Sequence, residues 1–265
     1  MKKGFITIYV LLVLLFLSIS LAFVSREVQS KNDLSKDILN KKQAVYEAES
    51  RANIFVNDYE NAIKEYILED YKRIIKKDLS DVGHADAKEF YIDYNNSKKK
   101  IMLMRVIDTN IAARKDKVYR VFEQIYYKNV RAEANIYLRA RENILLSSEG
   151  KLSYKDLESE LNKFEFEEDK TLHNEIPDTS KEKPYKGVII LDGDKSIDKD
   201  LYVEGILISK AQLLTKGKKI RVEGLVVLDQ DNQEIEYHKD YGPIIDNIVN
   251  KTDLIDLEIV ASHSF

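Results

Sequence analysis

The residues best suited to bind a metal form one acidic run in the C-terminal third of the chain. It places four carboxylates in a short segment, on Asp192, Asp194, Asp198 and Asp200. Carboxylate oxygens are the ligands that Ca²⁺ prefers, but the run lacks the bidentate glutamate that completes an EF-hand loop. Asp and Gly are also the commonest turn residues. We therefore favour two turns between strands for this run and keep a calcium site as the alternative.

No other residues form a pattern typical of catalysis. The four histidines lie in loop-like or terminal sequence without a partner at a recognised spacing: His84, His173, His238 and His263. Gly217 and Gly224 are isolated among strand-like residues rather than grouped in a phosphate-binding loop. The absence of cysteine excludes thiolate metal sites and a disulfide framework. We predict that the protein is not an enzyme and has no cofactor.

The composition limits the size and the partners of the fold. The chain has 265 residues, of which 44% are hydrophobic and 33% charged, enough for an anchor plus one or two small folded units. Its formal net charge is −4, with acidic and basic residues interleaved. We expect no nucleic-acid partner, because such a partner requires a basic surface.

Residues 5–24 carry no charge and indicate where the protein resides. As a helix they span roughly 30 Å, the thickness of a bilayer's hydrocarbon core. Lys2 and Lys3 precede them, so the positive-inside rule places the N-terminus in the cytoplasm and the chain after Arg26 outside. This predicts a single-pass membrane protein. A secretory signal peptide cleaved after Ala22 and a plain anchor are the alternatives.

The residues at the start of this segment carry a family resemblance. Lys2-Lys3-Gly4-Phe5 resembles the prepilin cleavage site of type IV pilins. The resemblance implies that a prepilin peptidase removes residues 1–4 by cutting between Gly4 and Phe5 on the cytoplasmic side. It also implies that the helix of residues 5–25 stays on the mature protein, is stored in the cytoplasmic membrane and later packs against other pilins.

Two further features narrow the resemblance. Most major pilins carry a glutamate at the fifth residue after the cut, and here that residue is Tyr9. In lacking this glutamate the chain resembles minor pilins of the PilX or tip-initiating kind. The run AVYEAESRA at residues 44–52 looks like the stretch that follows the apolar helix in that class.

Residues 26–77 contain no proline or glycine and read as a continuation of the apolar helix. Apolar residues recur at gaps of mostly three, four or seven, which mark one helical face: Leu34, Ile38, Val45, Ala48, Ala52, Phe55, Tyr59, Ala62, Tyr66 and Tyr71. We predict one helix of roughly 70 residues, unbroken or with one break, that ends near Asp81, Gly83 and His84.

After this helix the hydrophobic period becomes that of β-strands. In residues 130–139 every even position is apolar, which predicts a half-buried strand. Residues 101–107 and 118–127 are rich in β-branched and aromatic residues, so we expect strands there too, with a helix as the alternative for the second. For residues 26–146 the resemblance implies a pilin-like helix on an antiparallel meander.

Residues 147–186 are predicted to form a mobile acidic linker, because they hold few large aliphatic residues and two of the three prolines. Within this segment Ser153 is a candidate cap for a short helix that carries Leu157 and Leu161.

Residues 187–265 contain a repeat. The run LYVEGILI at 201–208 returns as IRVEGLVV at 220–227, and short β runs broken by one glycine are typical of a β-solenoid. A solenoid this short cannot bury its own core, so flanking sequence must cap it or it must dock on the meander. Residues 241–249 begin like a proline-initiated capping helix, and residues 254–261 are expected to close the solenoid sheet. The module resembles one found in some clostridial-type minor pilins and, more distantly, bactofilins.

These features predict an α+β protein: a transmembrane helix continues into a long amphipathic helix on an antiparallel sheet, and a small β-solenoid-like module follows. The resemblance implies a minor pilin or pseudopilin of a type IV pilus or a related secretion filament, with its bulk outside the cytoplasm or on the cell surface. A membrane-anchored, bactofilin-like envelope scaffold and a surface adhesin are the alternatives.

Overall fold

The computed structural model of the chain describes residues 2–76, 87–106, 117–230 and 234–265. Two consecutive helices form its N-terminal part, α1 (Lys2–Asp58) and α2 (Glu60–Lys76). Backbone hydrogen bonds continue across the junction, from Tyr59 N to Phe55 O at 3.1 Å and from Ile63 N to Tyr59 O at 3.0 Å. The prediction of one long helix with a break is therefore confirmed. Its expected end near Asp81 lies outside the described residues.

The first sheet is antiparallel and has the order β1-β2-β3-β4-β13. Its strands are β1 (Lys88–Tyr94), β2 (Ser97–Arg105), β3 (Val118–Tyr127), β4 (Val130–Glu142) and β13 (Ile255–Ser264). Two tight turns with positive φ join the hairpins, Asn95-Asn96 and Lys128-Asn129. The meander is confirmed, and the strand expected at 101–107 begins earlier and ends at Arg105.

The helical pair packs on one face of this sheet. Ala44, Ala48, Ala52 and Phe55 of α1 are buried, and so are Ile63, Ile67 and Tyr71 of α2. The alanines allow α1 to approach the sheet closely, because they add little volume between backbones. On β4 the predicted even positions Ala132, Ala134, Ile136 and Leu138 face this core, and Ala140 extends the same face beyond the predicted run. Leu34 and Ile38, the first members of the predicted stripe, are exposed.

The second sheet belongs to a β-solenoid of about 4 turns. Its parallel strands have the order β12-β11-β9-β7-β6. They are β6 (Thr171–His173), β7 (Tyr185–Leu191), β9 (Leu201–Ser209), β11 (Ile220–Leu228) and β12 (Ile235–His238). Two short strands, β8 (Lys195–Ser196) and β10 (Leu213–Leu214), pair across the opposite side of the coil. Strand β7 is a further copy of the repeat that the sequence showed in β9 and β11.

Three glycines stack in register on β7, β9 and β11. A Cβ at Gly205 would lie 1.8 Å from Gly187 O, and one at Gly224 would lie 2.0 Å from Gly205 O. Both distances are shorter than any normal contact, so only glycine fits this ladder. The ladder divides each strand into a half with a polar outer face and a half that is buried on both faces.

The solenoid docks on the helix and meander through the buried halves of its strands. Val188, Ile190, Ile206, Ile208, Leu225 and Val227 belong to the same hydrophobic core as α1, α2 and the meander. The opposite faces of these strands form a separate core inside the coil. Flanking sequence also caps the coil, because β12 covers residues 220–223 of β11 and β5 (Leu152–Ser153) covers residues 227–228. The expectation of capping and docking is confirmed.

The final strand differs from its prediction. We expected residues 254–261 to close the solenoid sheet, whereas β13 pairs with β4 and completes the meander. The edge of β11 is already occupied by β5 and β12, so the last strand cannot add there. Helix α5 (Tyr241–Ile245), which precedes it, is short and packs against β9 and β11.

The segment expected as a linker, residues 147–186, is largely part of the folded unit. It contains the end of α3 (Ile144–Ser147), β5, α4 (Tyr154–Leu161), one 3₁₀ turn (Glu168–Lys170) and β6, the first rung of the solenoid. Leu157, Leu161 and Phe164 enter the shared core, which gives this acidic segment an anchor. The predicted helix after Ser153 is present, although no side-chain hydrogen bond caps it.

Candidate functional site

The apolar N-terminal part of α1 is the most unusual surface of the protein. From Ile8 to Val24 its large side chains are exposed, and nothing in the described chain covers them. Its mean hydropathy reaches 2.7, so α1 is the one described helix that is long and apolar enough to cross a membrane. Exposing so much apolar surface to water is unfavourable, and a bilayer or other helices would remove that cost.

The residues of the predicted cleavage site lie at the start of this helix. α1 begins at Lys2, so Gly4 and Phe5 both belong to its first turns. Tyr9 follows with 66% of its surface exposed. The helix between Arg26 and Gln43 stands free of the sheet and spans about 27 Å. The folded part is therefore held at a distance from the apolar segment.

The acidic run does not converge on one point. Asp194 accepts a hydrogen bond from Gln212 N at 2.9 Å, and Asp200 accepts one from Lys219 N at 3.0 Å. Each acceptor thus fixes the backbone of the following coil, 18 or 19 residues later. Among the residues with described positions, no three His, Cys, Asp or Glu side chains are arranged to hold a metal.

The other two carboxylates of the run form ion pairs between coils. Asp192 bonds Lys210 at 2.7 Å, and Asp198 bonds Lys216 at 2.9 Å. The hydrogen bond from each lysine lowers the pKa of its aspartate. This arrangement supports solenoid corners as the role of the run. The histidines of the described chain are likewise dispersed: His173 ends β6, His238 ends β12 and His263 lies on β13, while His84 is outside the described residues.

Sequence reasoning missed a buried polar cluster where helix α2, the meander and the solenoid cap meet. Lys117 Nζ bonds Glu142 Oε1 at 2.5 Å and lies 3.4 Å from the centre of the Tyr71 ring. Lys239 Nζ lies 4.9 Å from the centre of the Tyr241 ring and donates to the backbone carbonyls of residues 146 and 148. No pattern of spacing signals this cluster, because its members lie far apart in sequence.

Burial dominates the electrostatics of the cluster. It lowers the pKa of Lys239 to about 8 and lowers that of Lys117, although Glu142 opposes the shift. It raises the pKa of Tyr241 to about 12 and raises that of Tyr71 further. These shifts follow from the desolvation of charge at a junction of three elements. The contacts of the two lysines and two tyrosines join α2, the meander and the solenoid cap, which fits a structural clamp.

Comparisons with known proteins found no match. No protein-family description, no curated protein and no solved structure is similar to the chain at a significant level.

Proposed function

We propose that this chain is a minor pilin or pseudopilin, a structural subunit of a type IV pilus or a related secretion filament. One observation carries the proposal: an uncovered apolar helix continues, without a chain break, into a helix whose second half packs on an antiparallel sheet. One continuous helix thus joins a membrane-compatible segment to the folded head, which consists of the meander and the solenoid.

In this role the apolar part of α1 is held by the bilayer and then transferred into a bundle of other pilin helices. Lipid contacts are exchanged for protein contacts, so the net change in free energy is modest. The peptidase cut between Gly4 and Phe5 frees the amino group of Phe5 before transfer. The helix between residues 26 and 43 then lies inside the filament, where the exposed side chains of Leu34 and Ile38 pack against other subunits.

Tyr9 supports a minor rather than a major subunit. A carboxylate at this position of the apolar helix can form an ion pair with the N-terminal amine of a neighbouring subunit. The attraction within such a pair is stronger in a low-dielectric helix bundle than in water. The tyrosine cannot form that pair. We therefore propose that the chain enters filaments only beside a major subunit.

The covered β11 end of the solenoid supports assembly through α1 over the bactofilin-like alternative. End-to-end polymerisation needs an open edge on the terminal rung, and β5 and β12 occupy the edge of β11. The adhesin alternative is compatible with a filament subunit, because the outer face of the solenoid is not needed for assembly.

Filament composition tests the proposal. Sheared and purified filaments from cells expressing the chain should contain it at a small fraction of the major subunit, detected by quantitative mass spectrometry. Tyr9→Glu should raise that fraction, whereas Tyr46→Glu, a change on the exposed face of α1 beyond the apolar part, should not. Absence of the chain from filaments, or abundant filaments made of it alone, would contradict the assignment.

A further inference from the structure

The outer meander face, the side of the first sheet that points away from α1 and α2, carries a central band of large side chains. On β2, β3 and β4 these side chains alternate with the buried ones and are half-exposed: Met102, Met104, Arg120, Phe122 and Tyr137. None of them belongs to either hydrophobic core of the described chain. The band is therefore not needed to hold the fold together.

Three exposed aromatic side chains extend the band on the same face. Tyr91 on β1, Tyr126 on β3 and Phe265, which pairs with Glu133 of β4, are 58%, 69% and 62% exposed. Aromatic, Met and Arg side chains are enriched at the centres of protein–protein interfaces. The composition of the outer meander face is thus typical of an interface.

The charges around the band are balanced. Each acidic side chain of this rim has a basic one beside it: Glu89 bonds Lys100, Glu133 bonds Arg131, Glu258 bonds Arg141, and Asp93 lies opposite Lys98. A strongly acidic or basic partner would find little net charge to attract it. A second copy of the same face would meet little net repulsion, which favours self-association.

Arg120 lies in the centre of the band and has one side occupied. Its Nε donates to Asn135 Oδ1 at 2.6 Å, and its guanidinium carbon lies 4.9 Å from the centre of the Phe122 ring. Because the side chain is half-exposed, the opposite side of the guanidinium can accept a second aromatic ring. The outer meander face itself offers such a ring, that of Tyr137.

The area of the outer meander face is sufficient for a stable dimer. Five strands about 4.8 Å apart give a width of roughly 24 Å, and the ten residues of β3 extend over roughly 33 Å. Because β1 and β2 are shorter than β3, the usable area is roughly 700 Å². One partner contributes about 800 Å² to an interface of standard size.

The direction of the helices selects one symmetry for such a dimer. Glu49 of α1 bonds Ser264 at one end of β13, and Lys64 of α2 lies 3.9 Å from Asp256 near the other end. The helices therefore run along the strands. A two-fold axis parallel to the strands keeps the apolar parts of both α1 helices pointing the same way, as two chains in one membrane require.

We propose that the outer meander faces of two copies of this chain pack against each other, with the two-fold axis parallel to the strands and between β3 and β4. Sheets packed face to face lie about 10 Å apart with interdigitated side chains. Arg120 and Tyr137 are opposite each other on β3 and β4, so this axis places the Arg120 of each copy against the Tyr137 ring of the other. The dimer does not depend on the filament assignment, because the interface belongs to the meander.

Crosslinking of single-cysteine variants locates the interface. The chain has no cysteine of its own, so an introduced thiol is the only one present. In the full chain in detergent micelles, Gln124→Cys on β3 lies near the axis, and a short bis-maleimide should link two chains through it. Asn61→Cys is the control, because Asn61 is exposed on α2 at the opposite side of the sheet. No crosslinking at residue 124, or equal crosslinking at both residues, overturns the proposal.

Sedimentation velocity of the full chain in detergent separates this dimer from association through α1. The wild type should sediment as two chains, and Tyr137→Ala should raise the dissociation constant about tenfold, because it removes the ring that Arg120 contacts. Tyr46→Ala, at a tyrosine of α1 that is 64% exposed, should leave it unchanged. A wild type that stays monomeric, or a dimer equally stable in Tyr137→Ala, overturns the proposal. If Tyr137→Ala does not fold, the crosslinking of Gln124→Cys decides.

Discussion

Arg51 on helix α1 donates a hydrogen bond to Glu123 on strand β3, with 2.9 Å between Nη1 and Oε1. Glu123 is 2% exposed, and the same arginine also bonds Glu47 one helical turn earlier. Burial raises the pKa of Glu123 even though Arg51 opposes the shift. This ion pair fixes the position of α1 along the sheet, since a helix displaced by one turn would leave a charge buried without a partner.

Removing one member of this pair should destabilise the folded head strongly. We expect Arg51→Met to lower the free energy of unfolding by about 3–5 kcal/mol, because it leaves the carboxylate of Glu123 buried and unpaired. The double variant Arg51→Met, Glu123→Met should recover most of that loss. Lys31→Met, which breaks an exposed pair with Glu27, should change stability by less than about 1 kcal/mol. Urea unfolding in detergent measures all three, and equal effects of Arg51→Met and Lys31→Met would refute the role of the pair.

The glycine ladder predicts a sharp difference between two glycines of the solenoid. Gly205→Ala places a Cβ 1.8 Å from Gly187 O and should lower the free energy of unfolding by about 2–4 kcal/mol. Gly193→Ala is the matched control, because no atom lies within 4 Å of the added Cβ. It should change stability by less than about 0.5 kcal/mol. Thermal unfolding that shows the same midpoint for both variants would contradict the ladder.

The sequence predicted those parts of the fold that depend on local periodicity. The helical stripe, the alternation in β4 and the glycine-broken repeat each predict which face of the helix or strand is buried. The structure agrees for most of their residues. The position of β13 could not be predicted, because its pattern fits either sheet and the decision depends on which strand edge is free. The cluster around Lys117 and Tyr241 forms where three elements that are far apart in sequence come together in the fold. No local sequence pattern could therefore predict it.

Limited proteolysis distinguishes a packed segment from a mobile linker. Within residues 147–186, trypsin should cut first at Lys181, which lies in the exposed stretch between β6 and β7, and should spare residues 154–173. The two fragments should elute together on gel filtration, because β13 in the second fragment pairs with β4 in the first. Early cleavage within α4, or fragments that separate without denaturant, would show that the two parts do not share a core.

Lys239 should give the protein an unusual alkaline stability profile. Its pKa falls from 10.5 to about 8 on folding, so between these values the unfolded chain binds more protons and stability rises with pH. The charged groups that face it are Glu142, Glu149 and Lys117, with Tyr241 beside them. The unfolding free energy of the wild type, minus that of Lys239→Met, should rise by about 1–2 kcal/mol from pH 7.5 to 10, since the half-buried amine is partly screened. A difference that stays constant or falls over this range would contradict the burial of the charge.

The N-terminus of the mature protein tests the filament assignment most directly. Intact mass and N-terminal sequencing of the chain purified from membranes with a prepilin peptidase should show Phe5 as the first residue. Gly4→Leu should abolish this processing, while the matched change Ser18→Leu within the apolar helix should leave it intact. A first residue at Phe23 would indicate a secretory signal peptide, and an intact Met1 a plain anchor, and either result would contradict the account.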